Sequence, residues 1–234
     1  MKIDIIISAN QIDEDYIKNK TVVVVDVLRA TSVTITAISN GCKEVIPKLT
    51  IEEALEIKEK NFRCVLGGER NAVKIEGFDF SNSPLDYTEE NVKGKILVLT
   101  TSNGTRAIQG SIGAKNLLIG AIINGQAVGN RILELGNDVI FVNAGTDGNF
   151  SLDDFICSGF IIDCVVKNNN QVMLTDIAKT AQYVYKQNSN ITDFIKNASH
   201  YKRIEQLNLF KDLDYCCRKN ITDVVPEFCN GKIK

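Results

Sequence analysis

Proline and histidine are both scarce: three prolines and one histidine in 234 residues. No Pro-, Gly- or Ser-rich linker, repeat or low-complexity stretch divides the chain, which reads as a single domain over 1–234. Basic residues are not in excess either, with 27 Lys and Arg against 29 Asp and Glu and a net charge of −2. A chain without surplus positive charge cannot neutralise a phosphate backbone, so nucleic acid is not an expected partner. No apolar run approaches the ~18 residues that a membrane helix needs, and the start MKIDIIISANQIDEDY meets acid by Asp4 with no signal-like apolar core. No membrane partner and a cytoplasmic location are therefore expected. The seven cysteines are odd in number and scattered, without a C-x-x-C pair. They read as small buried hydrophobes in a reducing compartment.

Several phosphate-handling signatures are missing as well. Neither G-x-x-x-x-G-K-[ST] nor G-x-G-x-x-G occurs, which argues against P-loop kinases and Rossmann dehydrogenases. Asp26 is followed two residues on by Leu28 rather than by a second Asp, so the haloacid-dehalogenase pattern fails.

What remains is a strong α/β signal. Short β-branched runs at 3–8, 22–27, 44–49, 63–66, 96–100, 117–121 and 139–143 predict strands. Helical patterns follow at 29–40, 50–60, 104–112, 125–135, 152–167, 175–187 and 191–206. Thr50 with Glu53 three residues on is a capping-box start, and Gly41 a helix stop. Runs such as VVVVDV and ILVLT suit strands buried on both faces. The expected fold is α/β: a mixed, mostly parallel sheet covered by helices on both faces. Gly67–Tyr87 is the one long irregular segment, of a length often kept for function.

In open α/β sheets ligands gather at the carboxyl ends of strands, and five polar clusters fall there. They are Asp26-Val-Leu-Arg29-Ala-Thr31-Ser32, Gly67-Gly68-Glu69-Arg70, Asn82-Ser83-Pro84, Thr100-Thr101-Ser102-Asn103-Gly104-Thr105-Arg106, and Asn143-Ala-Gly145-Thr146-Asp147-Gly148 running into Ser151-Leu-Asp153-Asp154. Each has an ordinary structural reading, as helix caps for Asp26 and Ser151 and turns for the rest; together they point to a site. Arg29 and Arg106 at helix starts, with Arg70, form an anion-binding set. Asp26, Glu69 and Asp154 among them require a cation. Oxygen-only ligands favour Mg²⁺ bridging carboxylate to phosphate, so a small phosphorylated molecule is the expected substrate. His200, alone on a late helix, reads as a satisfied or surface residue or, where that helix folds over the site, as the natural proton donor near neutral pH. Cys64-Val-Leu-Gly-Gly-Glu-Arg70 has the C-x5-R spacing of cysteine phosphatases, a competing reading, and a non-catalytic binder of a phosphorylated metabolite is another.

The stretches DVLRATSV (26–33), LGGER (66–70), NSP (82–84), TTSNGTRAI (100–108), VNAGTDGNFSLDD (142–154), ASHYKRIEQL (198–207) and DYCCRKNITDVVP (214–226) occur in this order along nearly the whole chain. The set resembles the 2-phosphosulfolactate phosphatase (ComB) family of coenzyme M biosynthesis. The resemblance implies a ComB-like α/β fold, a homodimer, and a Mg²⁺-dependent phosphatase releasing phosphate from 2-phospho-3-sulfolactate or a similar phospho-hydroxy acid. On this footing Asp26, Arg29 and His200 are the expected catalytic residues, with water or the Asp26 carboxylate attacking phosphorus. Arg70, Asn82, Ser83, Thr101, Asn103, Gly104, Thr105 and Arg106 are expected to bind substrate, and Asp26, Glu69 and Asp154 to hold the metal.

Overall fold

The computed structural model describes residues 1–234. Its strands are β1 (Lys2–Ile6), β2 (Thr21–Val25), β3 (Glu44–Pro47), β4 (Cys64–Arg70), β5 (Val73–Lys74), β6 (Ile96–Thr100), β7 (Asn116–Gly120), β8 (Val139–Asn143), β9 (Met173–Leu174), β10 (Phe228–Cys229) and β11 (Lys232–Ile233). The helices are α1 (Glu14–Ile17), α2 (Ala30–Ser39), α3 (Ile51–Lys60), α4 (Glu89–Val92), α5 (Gly104–Gly110), α6 (Gly125–Leu135), α7 (Leu152–Asn168), α8 (Asp176–Gln187), α9 (Ile191–Ile195), α10 (Tyr201–Gln206) and α11 (Phe210–Cys216). No helix is long and apolar enough to cross a membrane.

The strands form two sheets. The first, in the order β7-β2-β8-β1-β9, is parallel throughout. The second runs β10-β11-β3-β6-β4-β5, with a parallel centre of β3, β6 and β4 and antiparallel hairpins at both edges. Strand alternation builds the layers. Val23 and Val25 of β2 pack toward α6, α7 and α8 on the outside of the first sheet. Val22 and Val24 pack the other way, into a layer shared with Val33 and Ile35 of α2, Ile108 of α5, and Val45, Leu97 and Leu99 of the second sheet. Ile96 and Val98 of β6 face α3 beyond it. Strands so enclosed must be apolar at every position, which is why the continuous runs arise.

The expected mostly parallel α/β architecture is therefore present, divided into two sheets that share one helical layer. Parallel pairing sets no local sequence signal that says which strand joins which sheet. Chain order crosses between them: α2 leads from β2 in the first sheet to β3 in the second.

Two local expectations are corrected. The segment after Gly67 is not wholly irregular, because β4 continues to Arg70 and turns through Asn71 and Ala72, both at positive φ (55° and 63°), into β5. Positive φ at both central residues is the hairpin turn whose twist matches the strands. The helix expected over 191–206 is broken into α9 and α10, with the Asn197 carboxamide donating to the Phe194 carbonyl at 3.0 Å. Such a side chain competes for the carbonyl that a continuing helix would use.

The last residues tie the two sheets together. Asn220 and Ile221 N–H groups donate to Ile122 and Ile123 carbonyls, and the Ile119 N–H of β7 donates to the Pro226 carbonyl at 2.9 Å. The chain then closes the β10–β11 hairpin, turned by Asn230 and Gly231, against β3.

Candidate active site

The carboxyl ends of β2 and β8 in one sheet, and of β4 and β6 in the other, open onto a single cleft. Asp26, Leu28 and Arg29 line it from the first sheet, and Glu69, Asn71, Ala72, Asn82, Ser102 and Asn103 from the second. Thr146 and Asp147 follow β8, while His200, Arg203, Ile204, Leu209, Asp212 and Leu213 form a roof from α10 and α11.

Asp26 sits at the floor. One carboxylate oxygen accepts the Ala30 N–H of α2 at 3.3 Å, and the backbone on either side is held by the Thr31 hydroxyl. The helix-cap reading thus describes one oxygen. The other faces Gly104, where a Cβ would lie 2.5 Å from Asp26 Oδ2 and 2.4 Å from the Ala30 methyl. Only glycine leaves room there. Burial, with repulsion from Asp153 and Glu69, outweighs attraction to His200 and the Ala30 hydrogen bond, and the Asp26 carboxyl is pushed up to about 6. Strong perturbation in a cleft marks a candidate for chemistry.

Glu69 enters from β4, on the face shared with Val65. Its oxygens accept the Ser102 N–H at 2.7 Å and the Ala72 N–H at 2.6 Å. Arg29 ion-pairs with Asp212 of α11 and donates to the Ala72 carbonyl at 3.2 Å, and the Ser83 hydroxyl donates to the other Asp212 oxygen at 2.6 Å. Arg29 and Asp212 are both at least nine-tenths buried. Removing one partner of a buried pair leaves an uncompensated charge. Asp212→Ala is therefore expected to destabilise the fold by about 3–5 kcal/mol, read from denaturant midpoints; a change below about 1 kcal/mol would mean that Arg29 finds another counter-charge or water.

His200 lies opposite, its Nδ1 3.0 Å from Asp153 Oδ2, and the Ser151 hydroxyl donates to the other Asp153 oxygen. Burial alone would lower the imidazole, but the Asp153 hydrogen bond and charge, with Asp26 adding, lift it above its ordinary value. Burial likewise works against Asp153 ionising, while His200 and Ser151 hold its carboxyl low. The bonded Nδ1 leaves Nε2 for the cleft.

Of the site residues named from sequence, Asp26, Arg29, Glu69, Asn82, Asn103 and His200 line this cleft, with Gly104 against Asp26. Six do not. Arg70 follows Glu69 on a strand, so the pleat turns it to the opposite face, where it donates to the Leu49 carbonyl and the Thr100 hydroxyl at 2.9 and 3.0 Å. Arg106 stands two residues beyond Gly104, about 200° around α5 at 3.6 residues per turn, and reaches Asn10 on the exposed side. Thr101 and Thr105 exchange hydrogen bonds at the start of α5. Ser83 serves Asp212, behind the wall. Asp154 is a brace: its two oxygens accept the Val27 and Gly145 N–H groups, both at 3.0 Å, joining the ends of β2 and β8. Burial, then the Asp153 and Asp26 charges, push its carboxyl well above the ordinary range.

The C-x5-R reading fails on geometry. Cys64 begins β4 and packs with Ala54, Leu66 and Phe78, and six extended residues put it about 20 Å from Arg70. Burial pushes its thiol up rather than activating it.

Sequence reasoning passed over Asp212, Arg203 and the Asn71–Ala72 turn. Asp212 lies at helical spacing from the apolar Leu209 and Cys216, so a carboxylate on a buried stripe was the available signal.

Oxygen donors dominate the floor. The Asn82 carbonyl oxygen is buried without a hydrogen-bond partner, and Asn82 lines the same cleft as Asp26 and Glu69. No group of three or more His, Cys, Asp or Glu is arranged as a self-sufficient metal cage. Mg²⁺ takes few protein ligands, commonly one or two carboxylates with water and substrate phosphate. The donor set of Asp26, Glu69 and Asn82 fits that ion.

The sequence model of a family described as 2-phosphosulpholactate phosphatase matches residues 6–231. A protein of Clostridium acetobutylicum named probable 2-phosphosulfolactate phosphatase is 60% identical over 234 residues, covering 100% of both chains. One of the same name from Clostridium kluyveri is 64% identical over 235 residues, covering 100% of this chain and 98% of the relative. A third, from Clostridium botulinum, is 51% identical over 235 residues, covering 100% and 99%.

Proposed function

The chain belongs to the 2-phosphosulpholactate phosphatase family, and on that premise we propose that it is a phosphoric monoester hydrolase converting 2-phospho-3-sulfolactate and water to 3-sulfolactate and phosphate. The observation that carries the reading is that Asp26 and His200 line one cleft, a raised carboxyl and a raised imidazole each feeling the other's charge. Two groups so tuned suit the two ends of an in-line displacement at phosphorus.

Asp26 serves the attacking side: ionised, its carboxylate takes a proton from water, or itself attacks phosphorus to give an acyl phosphate that water then hydrolyses to phosphate and the free carboxylate. His200, protonated, gives its proton to the departing alkoxide oxygen. Asp153 holds Nδ1, so the proton leaves from Nε2. Arg29, kept rigid by Asp212, contributes guanidinium N–H groups toward phosphoryl oxygens. Asn103 at the start of α5 adds a neutral donor.

Asp26, Glu69 and Asn82 would hold Mg²⁺, which supplies charge neutralisation between carboxylates and phosphate. The cleft wall carries Asp26, Glu69, Asp147 and Asp212, an acid excess that suits entry of a cation with a polyanionic substrate. The test is release of inorganic phosphate from 2-phospho-3-sulfolactate by the purified protein. Activity is expected with Mg²⁺, loss on adding EDTA, and recovery on restoring Mg²⁺. Turnover unaffected by EDTA would remove the metal from the scheme, and no turnover with Mg²⁺ present would remove the substrate.

A further inference from the structure

The cleft wall presents three basic side chains, and one lacks a partner. Arg29 is paired with Asp212 and His200 with Asp153. Arg203, half-buried on α10, makes no ion pair or side-chain hydrogen bond, although it lines the cleft. Its N–H donates to the His200 carbonyl at 3.0 Å, and residues three apart on a helical turn share a side. Its positive charge is felt at the His200 imidazole, where it opposes protonation. A guanidinium offers five N–H donors in a planar fork matched to a planar or tetrahedral anion. Here the fork is uncommitted.

The other arginines expected near substrate are turned away, Arg70 to Leu49 and Arg106 to Asn10. The remaining uncommitted donors on the wall, among them Asn71 and Asn103, are neutral. A phosphoester that also bears an acidic group on a carbon adjoining the ester carbon would have its leaving oxygen at His200 and the acid one helical turn away. We propose that Arg203 is a specificity-determining residue, its guanidinium pairing with the carboxylate or sulfonate beside the ester carbon. This rests on the phosphatase reading above and names the group that selects its substrate.

Arg203→Gln and Arg203→Lys test it against four esters: 2-phospho-3-sulfolactate, 2-phosphoglycerate (carboxylate only), 1-sulfopropan-2-yl phosphate (sulfonate only) and glycerol 2-phosphate (neither). The Gln variant is expected to lose about 30-fold in kcat/KM on 2-phospho-3-sulfolactate, mostly in KM, the range for a charge-assisted hydrogen bond. On glycerol 2-phosphate it should stay within about threefold of wild type, which also shows that the variant is folded. Lys restores part of the loss, since it keeps the charge without the fork. Whichever single-acid ester suffers more identifies the group that Arg203 holds. An equal loss on all four esters, or none on the acidic ones, overturns the assignment. Should wild type hydrolyse none of them, the phosphatase reading falls, and calorimetric binding of 3-sulfolactate decides the Arg203 assignment: at least tenfold weaker binding to the Gln variant supports it, and equal binding refutes it.

Discussion

Asp26→Asn is expected to lower phosphate release by about a thousandfold or more while making the metal-free protein more stable. The two effects share a cause. Burial lifts the Asp26 carboxyl to about 6, well above its unfolded value. For a carboxyl raised on folding, the unfolded chain ionises first, so native stability falls as pH climbs from the unfolded value through the folded one. Above that window the ionised carboxylate burdens the fold by something on the order of 1–3 kcal/mol. An amide keeps the acceptor for the Ala30 N–H without the charge. Thermal melts in EDTA at pH 5 and pH 8 separate the cases, because the gain from Asn should be larger at pH 8. A variant that melts lower at both values would place Asp26 among the groups that hold the fold. One that keeps full turnover would remove it from the chemistry.

His200→Gln should slow hydrolysis of alkyl phosphoesters by about 10²–10⁴-fold, the usual range for a lost general acid. An aryl ester such as p-nitrophenyl phosphate needs no proton on its leaving oxygen and should be slowed far less. A binding or folding role for His200 would depress both substrates alike, so the ratio of the two losses is the diagnostic. The pH profile carries the same signature. An imidazole held above its ordinary value by Asp153 keeps its proton to higher pH than a free imidazole would, and rate falls as pH rises past it. In Asp153→Asn burial acts unopposed by that charge, and the falling limb should move to lower pH. A falling limb that stays in place would mean that another group donates the proton.

Much of this arrangement is legible in the chain. TVVVV, ILVLT and VIFVN are strands because burial on both faces demands apolar residues at every position. The Thr50–Glu53 capping box starts α3 with both reciprocal hydrogen bonds in place. Polar clusters at strand ends located the cleft. The division into two sheets was not legible, since a parallel strand carries no mark of its neighbour. The misdirected arginines are readable by period alone, Arg70 one pleat from Glu69 and Arg106 two residues around α5 from Gly104; charge by itself carries no direction. Asp212 and Arg29 lie 183 residues apart, and nothing local announces such a pair. The Asn230–Gly231 hairpin carries a strong short-range turn signal that the reading of the sequence passed over.

The central claim is that strand ends from two different sheets converge on one cation-binding floor, Asp26 from β2 and Glu69 from β4. Calorimetric titration of Mg²⁺ into the wild-type protein and into Asp26→Asn and Glu69→Gln tests it without relying on turnover. One bound ion is expected for wild type, with affinity at least tenfold weaker in each variant. Equal affinity and stoichiometry in all three proteins would show that the two carboxylates do not share a metal, and the account would fail.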